Sequence, residues 1–476
     1  MALEIEKKFL LPPCKATRYV EHLGVQWTKE RIKQFYTPSQ RLRKKGKNYY
    51  ATVKSGQGLV RTETESVISK EQFAAQLCHK EGNLLTKFRY TFRYKGQRYE
   101  LDEFRGALRG LVYLEIEFPD IEAAKRYEAP RKIRSWIIDD VTEKPQFTNR
   151  ALALHGLPVL DVCVQDALKQ MDTFLSASLQ LRLHPFADIC GVLRAWTAVM
   201  KRIIAANREA ILANEGDRER LHQLRVALRK LRAVLGLMHQ TVGIEEARPI
   251  TAIAKEIMRR TNAARDLDVA LEWMEEYKKL LPPVLAGSLE SLRMALERKR
   301  QEAYEALRGE LASDKFEALL QALQGLSQKE QKCAMPAIFV AKELLEHQSE
   351  AVLKKAKRLD KKAEAKRYHL VRIKIKKLRY MVEFFGFVFR DESYKKFLKE
   401  LKKFQDILGT HQDMMVQVAY IASLLQDAEG QEREALRYLQ RVLLQRAAKM
   451  RKRFRKRSHR LRELRRHIKK SLCRIA

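Results

Sequence analysis

The spacing of apolar residues changes once along this chain, and that change restricts the folds it can adopt. Up to about residue 150, short segments alternate charged and apolar residues, as in 87–90 (KFRY) and 115–118 (EIEF). Past Asp161, apolar residues instead recur every three or four positions. Alternation is typical of half-buried strands, and the wider spacing is typical of amphipathic helices. The sequence therefore predicts an α+β multidomain protein, with an antiparallel β domain followed by an all-helical region.

Local signals add detail to this division. Glycine-containing turns at 45–48, 55–58 and 95–97 separate the predicted strands. Within the β domain, helices are expected at Lys70 to His79 and at Ile121 to Tyr127. Residues from about 151 to 180 have the composition of a connector that includes a first helix.

The charge balance indicates the kind of partner. The chain has 476 residues and a formal net charge of +36. Residues 1–150 hold 30 basic and 19 acidic residues, a net of +11, which leaves +25 for the remainder. The excess is therefore not confined to one tail. A folded protein with this field attracts polyanions.

The cysteines and the apolar runs bear on the compartment. There are six cysteines, with no C-x-x-C pair and no regular spacing, which argues against a zinc site or a disulfide framework. We expect six free thiols in a reducing, cytoplasmic setting. No membrane partner is expected, because no apolar run approaches the roughly 20 residues of a spanning helix. The cysteines are Cys14, Cys78, Cys163, Cys190, Cys333 and Cys473.

Pairs of like charges recur at every second position of the predicted strands, so each pair lies on one strand face. If the sheet closes, these faces share one lumen. A phosphate chain would match the bases there, and a divalent cation such as Mg²⁺ would match the acids. The acidic pairs are Glu4/Glu6, Glu63/Glu65 and Glu115/Glu117, and the bases are Arg41/Arg43, Lys87/Arg89 and Lys54.

The ordered set of motifs at 4–8 (EIEKK), 41–43 (RLR), 52–54 (TVK), 61–65 (RTETE) and the two segments 87–90 and 115–118 resembles the CYTH superfamily of triphosphate tunnel metalloenzymes. The resemblance covers about residues 1–155. It implies an eight-stranded antiparallel β-tunnel that hydrolyses a triphosphate with Mg²⁺ or Mn²⁺.

The resemblance also implies roles for individual residues. The metal would be held by Glu4, Glu6, Glu115 and Glu117. Catalytic roles would fall to Lys8, Arg61, Glu63 and Glu65. The substrate phosphates would be gripped by Arg41, Arg43, Lys54, Lys87 and Arg89. Asp102 lies on a matching strand. In the closing segment 136–149, Asp140 stands where the family more often has Glu, and Lys144 and Gln146 also depart from its pattern.

An internal repeat lies in the helical region. Residues 221–231 (LHQLRVALRKL) match 368–378 (YHLVRIKIKKL) at an offset of 147 residues. The same offset places 266–269 (DLDV) on 413–416 (DMMV), although Met415 replaces Asp268. One register over this length predicts two copies of a helical unit about a pseudo-twofold axis.

Each copy carries a basic face beside its apolar stripe. This half of the chain resembles the CHAD domain, a helical domain associated with inorganic polyphosphate. We assign it residues 181–476 after a connector at 156–180, with repeats at about 185–330 and 335–476. The expected polyphosphate-binding residues are His222, Arg225, Arg229, Lys230, Arg232, His369, Arg372, Lys376, Lys377 and Arg379. A further basic run, 451–470, is predicted as a helix that could line the same surface, bind nucleic acid nonspecifically or be solvated.

Together with these observations, the two resemblances imply a metal-dependent inorganic triphosphatase whose helical domain binds inorganic polyphosphate. Three alternatives remain open at the level of sequence. The protein could bind or target polyphosphate without catalysis, its tunnel could act on a nucleoside or thiamine triphosphate, or its charge could serve nonspecific nucleic-acid binding. The sequence does not indicate an oligomeric state.

Overall fold

The computed structural model describes residues 2–55, 59–170, 181–215, 217–285, 287–359, 363–389 and 393–472. Nine strands form one antiparallel sheet in the first third of the chain. They are β1 (Ala2–Leu11), β2 (Trp27–Tyr36), β3 (Arg41–Lys45), β4 (Asn48–Ser55), β5 (Val60–Ile68), β6 (Glu81–Tyr94), β7 (Gln97–Phe104), β8 (Val112–Glu117) and β9 (Asp139–Asp140).

Strands β1 to β8 close into a barrel. The pairing runs β5-β4-β3-β2-β6-β7-β8-β1, and β1 returns to β5 through Glu4 opposite Arg61. The short β9 adds to β1 beyond the point where β1 leaves β5. The predicted eight-stranded antiparallel tunnel is therefore confirmed, and closure removes the unpaired edges that an open sheet would present.

Strand alternation divides the barrel into two environments. One face of β1 carries Phe9 and Leu11 into an apolar cluster on the outside of the barrel, under the helix at Ala16–Leu23. The other face carries Glu4, Glu6 and Lys8 into the lumen. The polar face predicted from the sequence is thus the inner one.

The lumen changes from polar to apolar along its axis. Five lumen-facing side chains at one end are at most 9% exposed and belong to the same apolar cluster as the helical core. They close that end of the polar lumen and join it to the helices. These residues are Leu10, Tyr36, Leu85, Phe104 and Tyr113.

Helices flank the barrel and make up most of the chain after it, as the change in apolar spacing predicted. Beside the barrel and in the connector lie α1 (Ala16–Leu23), α2 (Lys70–Ala75), α3 (Ile121–Arg126), α4 (Arg131–Arg134), α5 (Asn149–His155) and α6 (Val164–Lys169). A 3₁₀ turn at Gln76–His79 continues α2, so both helices expected within the β domain are present.

Two series of helices follow. The first comprises α7 (Ile189–Leu212), α8 (Asp217–Val242), α9 (Ala247–Arg260), α10 (Asn262–Leu280), α11 (Glu290–Leu311) and α12 (Asp314–Gln328). The second comprises α13 (Ala337–Ala356), α14 (Ala365–Phe384), α15 (Ser393–Leu424), α16 (Gly430–Arg457) and α17 (Arg460–Leu472).

The two series correspond in order. The starts of α13, α14 and α17 follow those of α7, α8 and α12 by 148, 148 and 146 residues. The long α15 occupies the place of both α9 and α10, which are separated at Thr261. Arg225 of α8 stabilises that separation by donating hydrogen bonds to the Met258 carbonyl, the Thr261 hydroxyl and the Asn262 side chain.

The barrel and the helices share an interface at α13. Gly110, with φ +101°, lies so close to Phe339 that a Cβ atom there would come within 2.5 Å of the ring. Phe339 also makes an edge-to-face contact with Phe186 at 5.7 Å between centroids. Nearby, Lys342 donates a 2.8 Å hydrogen bond to the Pro13 carbonyl. Only glycine fits at position 110 without displacing this contact.

The prediction of free thiols is wrong for two cysteines. Cys190, in the first turn of α7, and Cys333, just before α13, are joined as a disulfide with Cα atoms 5.5 Å apart. Their 143-residue separation hides this proximity in the sequence. Cys78 and Cys163 are free, Cys14 accepts a long hydrogen bond from the Arg18 guanidinium at 3.9 Å, and Cys473 lies outside the described residues. None of the described helices has the length and apolarity to cross a membrane.

Candidate functional site

The lumen of the barrel holds a polar cavity of about 960 Å³. Among the described residues, ten basic side chains and eight carboxylates line it. Such a mixture has little net attraction for an anion by itself, because the acids offset the bases. A bound cation would tip that balance and let the bases bind an anion.

One wall of the lumen, formed by β1, β6, β7 and β8, alternates bases and acids at short distances. Lys8 is 5% exposed, and its Nζ lies 3.1 Å from Glu115 Oε1 and 3.8 Å from Glu6 Oε1. Burial lowers the pKa of Lys8, but the carboxylates of Glu115 and Glu6 have the larger combined effect, so the pKa is raised above its ordinary value. Lys8 is therefore a fixed positive charge at the closed end of the polar lumen.

Glu115 is held mainly by bases. Burial raises the pKa of Glu115, but Lys8, Lys87 and Arg89 together hold it well below its ordinary value. Arg89 also bonds this carboxylate directly. Glu115, predicted as a metal ligand, thus lies deeper in the lumen and is already paired with cations in this structure.

Asp102 positions two of the predicted phosphate-binding bases. It is completely buried, accepts hydrogen bonds from Arg89 Nε at 2.8 Å and Arg89 Nη2 at 2.7 Å, and pairs with Lys87. Burial lowers the pKa of Lys87 by more than Asp102 restores it. The Asp102 carboxylate therefore fixes the direction of both cations, whereas the sequence left its role open.

The opposite wall comes from β3, β4 and β5. Arg41 Nη2 lies 2.8 Å from Glu63 Oε1 and 3.6 Å from Glu65 Oε2, and Arg43 reaches the same two carboxylates at 4.0 and 3.8 Å. Thr52 donates a 2.9 Å hydrogen bond to Glu65. This wall presents two guanidinium groups held in place by two acids.

One feature of this wall points to an anion. The Nε atoms of Arg41 and Arg43 are buried and have no hydrogen-bond partner among the described residues. Buried donors are nearly always paired, so an unpaired guanidinium N–H in a lumen calls for a ligand. A phosphate oxygen is a strong acceptor of the right charge. Lys54 stands opposite Glu63 in the β4–β5 register, but its side chain lies outside the described residues.

Carboxylates gather towards the open end of the lumen. Glu6 is opposite Glu117 in the β1–β8 register, which brings their Cβ atoms to about 5 Å. Partial desolvation, together with the carboxylates of Glu100 and Glu4, raises the pKa of Glu117. Mg²⁺ and Mn²⁺ prefer carboxylate oxygens as ligands, and a bound cation would relieve the repulsion between these carboxylates. Glu4, Glu6 and Glu117 therefore fit a divalent cation. Glu100 also lines the lumen but was not predicted as a site residue. The only sequence signal for it was its position two residues before Asp102, which places both side chains on one strand face.

The closing segment connects the lumen to the helices. Lys144 lines the cavity and pairs with Asp139, and the His184 Nε2 atom lies 3.2 Å from Asp139 Oδ2. Asp140, one of the departures from the family pattern, accepts hydrogen bonds from the amide and hydroxyl of Thr142, and Thr142 in turn accepts from the Lys8 amide at 3.0 Å. This segment therefore braces β1 beside Lys8.

A second polar site lies where α8 and α14 face each other. We call it the basic ridge. It consists of His222, Arg225, Arg229, Lys230 and Arg232 on α8 and His369, Arg372, Lys376, Lys377 and Arg379 on α14.

The two halves of the basic ridge meet at equivalent positions. Burial lowers the pKa of Lys376 to about 8, and the charges of Arg372 and of Arg229, its counterpart on α8, contribute to the lowering. Burial and the neighbouring Lys374 and Arg232 lower the pKa of Lys377 in the same direction. Cations are thus crowded at the contact between the repeats.

Not every residue of the ridge has its charge available. Lys230 is 6% exposed and pairs with Glu383 across the repeats. Arg379 bonds Glu383 at 2.7 Å. Arg225 donates its hydrogen bonds to residues at the junction of α9 and α10, and burial lowers its pKa to about 10. These three stabilise the helix packing, which sequence spacing alone does not reveal.

Two of the remaining ridge residues have buried donors available for an anion. Within the part of the chain that the structure describes, the Nε atoms of Arg229 and Arg372 have no hydrogen-bond partner. His369 Nδ1 lies 3.0 Å from Gln412 Oε1. Burial and the nearby charge of Arg265 lower the pKa of His222, which places Arg265 at this site although the sequence did not single it out.

The basic run 451–470 forms two helices instead of one, because α16 ends at Arg457 and α17 begins at Arg460. Arg457 pairs with Glu400 at 2.8 Å, and Arg465 pairs with Glu350 at 2.7 Å. Most other bases of the run point to solvent.

Known proteins are similar to both the β domain and the helical region of this chain. An inorganic triphosphatase of Nitrosomonas europaea is 39% identical over 115 residues, covering 24% of this chain and 74% of that protein. An inorganic triphosphatase of Acetivibrio thermocellus is 33% identical over 156 residues, covering 32% and 94%. The CHAD domain family matches residues 194–422. The chain is a CYTH–CHAD protein.

Among solved structures, the CHAD domain of the plant Ricinus communis is 26% identical, with a TM-score of 0.49, and covers 61% of this chain and 95% of that one. The barrel lumen lies in the CYTH region. The basic ridge lies in the CHAD region, because α8 to α14 fall within the residues 194–422 that the CHAD family matches.

Proposed function

We propose that the CYTH region hydrolyses inorganic triphosphate to pyrophosphate and phosphate in a reaction that requires Mg²⁺ or Mn²⁺, and that the CHAD region binds inorganic polyphosphate. The layered charges of the tunnel carry the first part: carboxylates gather at its open end, and bases with unpaired donors lie deeper. The names of the two similar triphosphatases support the same activity.

In this proposal each wall of the tunnel has its own task. Glu4, Glu6 and Glu117 would hold the cation, which supplies neutralisation of phosphate oxygens when bound. On one wall Lys8, Lys87 and Arg89 would bind the chain of phosphates. On the other, Arg41 and Arg43 would donate hydrogen bonds, and Arg61 lies opposite Glu4 at the open end.

The attacking water needs an oriented acceptor that solvent can reach. Glu65 fits, because its side chain is 36% exposed while Thr52 holds its carboxylate at 2.9 Å. Glu63 is less exposed, at 18%, and is closer to Arg41. We therefore propose Glu65 for positioning water and Glu63 for fixing Arg41. In-line attack with fixed positive charge on the phosphoryl oxygens is the general logic of phosphoryl transfer.

Unpaired ridge donors support the second part of the proposal. Arg229, Arg372 and Lys376 form a crowded cationic surface, and an anion with many charges relieves that crowding without any metal. A polyphosphate chain has this property, and it lacks bases that would require aromatic stacking partners.

A substrate panel tests the proposal. Phosphate release would be measured with tripolyphosphate, ATP, thiamine triphosphate and long-chain polyphosphate, each with Mg²⁺, with Mn²⁺ and with a chelator. We expect the fastest release from tripolyphosphate and none after chelation. Faster release from ATP or thiamine triphosphate would reassign the substrate. Tight polyphosphate binding without turnover of any compound would make the tunnel noncatalytic.

A further inference from the structure

The two repeats of the CHAD region differ in charge beside the basic ridge. In the first repeat, Asp268 is 1% exposed and accepts hydrogen bonds from Arg300 Nε at 2.6 Å and from the Tyr304 hydroxyl at 2.7 Å. Arg300 therefore has a buried carboxylate partner, and the charges of Arg300 and Asp268 neutralise each other within the fold.

The second repeat lacks that acid and has its arginine one helical turn later, since Ala447 stands where the first repeat has Arg300. At the offset of 147 residues, Met415 stands for Asp268 and Arg451 for Tyr304. Arg451 Nε donates a 3.0 Å hydrogen bond to His411 Nε2, and Arg451 Nη2 lies 4.0 Å from Met415 Sδ. His411 is 1% exposed, and burial together with Arg451 lowers its pKa to about 4, so it is neutral at pH 7. Among the described residues, Arg451 pairs with no carboxylate.

This uncompensated charge is next to the basic ridge. The Arg451 guanidinium lies 5.8 Å from the centre of the Tyr368 ring, and Arg455 Nη1 donates a 3.1 Å hydrogen bond to the Tyr368 hydroxyl. Tyr368 precedes Arg372 by one turn of α14, and residues four apart are neighbours on a helix surface. Arg451 and Arg455 therefore continue the second half of the ridge.

Many further bases surround Arg451 and Arg455 on α16 and α17. Residues 446–470 contain fourteen Lys and Arg but one acid, Glu463. Several of these bases are exposed on α16 and α17. They include Lys452, Arg453, Lys456, Arg462, Arg466, Lys469 and Lys470. At the offset of 147 residues, the first repeat has Glu305 in place of Lys452 and Glu310 in place of Arg457.

We propose that Arg451 and Arg455 form an anion site found only in the second repeat, which extends the basic ridge onto α16 and α17. A bound polyphosphate chain would then run from the ridge towards these C-terminal helices and not symmetrically across the pseudo-twofold axis. The proposal rests on polyphosphate binding by the CHAD region. It identifies the repeat towards which the bound polyphosphate extends from the ridge, and it assigns a ligand to the basic run 451–470.

The test is to restore the missing acid. Met415→Asp puts a carboxylate where the first repeat has Asp268, and Met415→Leu is its apolar control. Arg451→Gln combined with Arg455→Gln removes the site, and Arg308→Gln, at the position equivalent to Arg455, is the first-repeat control. Affinity for long-chain polyphosphate would be measured on the full chain in a chelator, by competition with a labelled polyphosphate.

We expect Met415→Asp to weaken binding about fivefold and the Arg451/Arg455 variant about tenfold, as for loss of charge-assisted hydrogen bonds, with lower salt dependence. The Met415→Leu and Arg308→Gln controls should bind within about twofold of the original chain. Unchanged affinity in both test variants, with circular dichroism unchanged, overturns the extended site. Equal loss in Arg308→Gln would instead indicate a symmetric path. Absence of binding by the unsubstituted chain refutes the proposed function itself.

Discussion

The tunnel and the basic ridge both gather cations, but they differ in how those cations are balanced. In the tunnel, Arg41, Arg89 and Lys8 each lie within ion-pair distance of a carboxylate. In the ridge, Arg229, Arg372 and Lys376 have no carboxylate within ion-pair distance among the described residues. Burial, followed by the charges of Arg372 and Arg229, lowers the pKa of Lys376, and the Asp413 carboxylate offsets only part of this.

Under the proposed function, this difference would give two ways of recognising phosphate. The balanced tunnel would bind an anion strongly only when a cation joins its acids, so its binding and chemistry should depend on metal. The unbalanced ridge needs no metal and should respond to ionic strength instead. Variants in one site should therefore leave the other unchanged.

The largest effect should follow loss of the acids at the tunnel opening. We expect Glu4→Gln with Glu6→Gln to slow triphosphate hydrolysis by about 10³-fold or more, because cation binding is lost. Steady-state phosphate release at several Mg²⁺ concentrations measures this. Binding of long-chain polyphosphate in a chelator should not change.

Glu143→Gln is the matched control, since Glu143 lines the same cavity but lies outside the carboxylate group at its opening. Retained activity in the double variant would contradict the metal role.

A second large effect should follow removal of the buried acid in the tunnel. Asp102→Asn leaves Lys87 and Arg89 without a full countercharge, which we expect to cost about 3–5 kcal/mol of stability and to reduce hydrolysis about 100-fold. Urea unfolding and kinetics at low temperature, where the variant is folded, separate these effects. Should the variant be as stable as the original chain, the Asp102 charge is not needed to hold the two bases.

Charge removal in the ridge should have a smaller effect, and only on the other activity. Arg229→Gln with Arg372→Gln should weaken long-chain polyphosphate binding about 10- to 50-fold, as for two charge-assisted contacts, and leave triphosphate hydrolysis unchanged. Isothermal titration in a chelator measures the affinity. Arg248→Gln with Lys255→Gln, both exposed on α9, is the control of equal charge. Equal loss in that control would indicate general charge attraction without a site.

The smallest effect should be a pH dependence of the ridge. Because the pKa of Lys376 is lowered to about 8, its charge is lost as the pH rises through that value, and polyphosphate affinity should fall about two- to fivefold between roughly pH 7 and 9. Lys376→Arg should remove most of this dependence. A fall of equal size in Lys376→Arg would assign the titration to another group.

The same lowering has a consequence for stability. Between the lowered pKa in the folded state and the ordinary value in the unfolded chain, the unfolded state binds more protons, so the free energy of unfolding rises with pH across this window. We expect Lys376→Met to be more stable than the original chain at pH 7, and this advantage to shrink above pH 8. Thermal melts of both chains at pH 7 and above pH 8 measure this difference in stability.

Much of the fold was predictable because it is encoded locally. Alternation at 87–90 and 115–118 and the wider apolar spacing after Asp161 each depend on neighbouring residues, so strands, helices and their order followed. The lumen-facing set from Glu4 to Glu117 was predictable for the same reason: strand parity fixes which side chains share a face.

What the sequence determined by itself was therefore which residues share a face, and that the chain contains a tunnel followed by paired helices. Tertiary structure alone decided which faces meet. It paired Cys190 with Cys333, paired Lys230 with Glu383, made Asp102 the support of Lys87 and Arg89, and placed Arg451 beside His411 and Met415. These contacts join positions far apart in the chain, and their energies depend on burial and on neighbouring charges that exist only after the elements have packed.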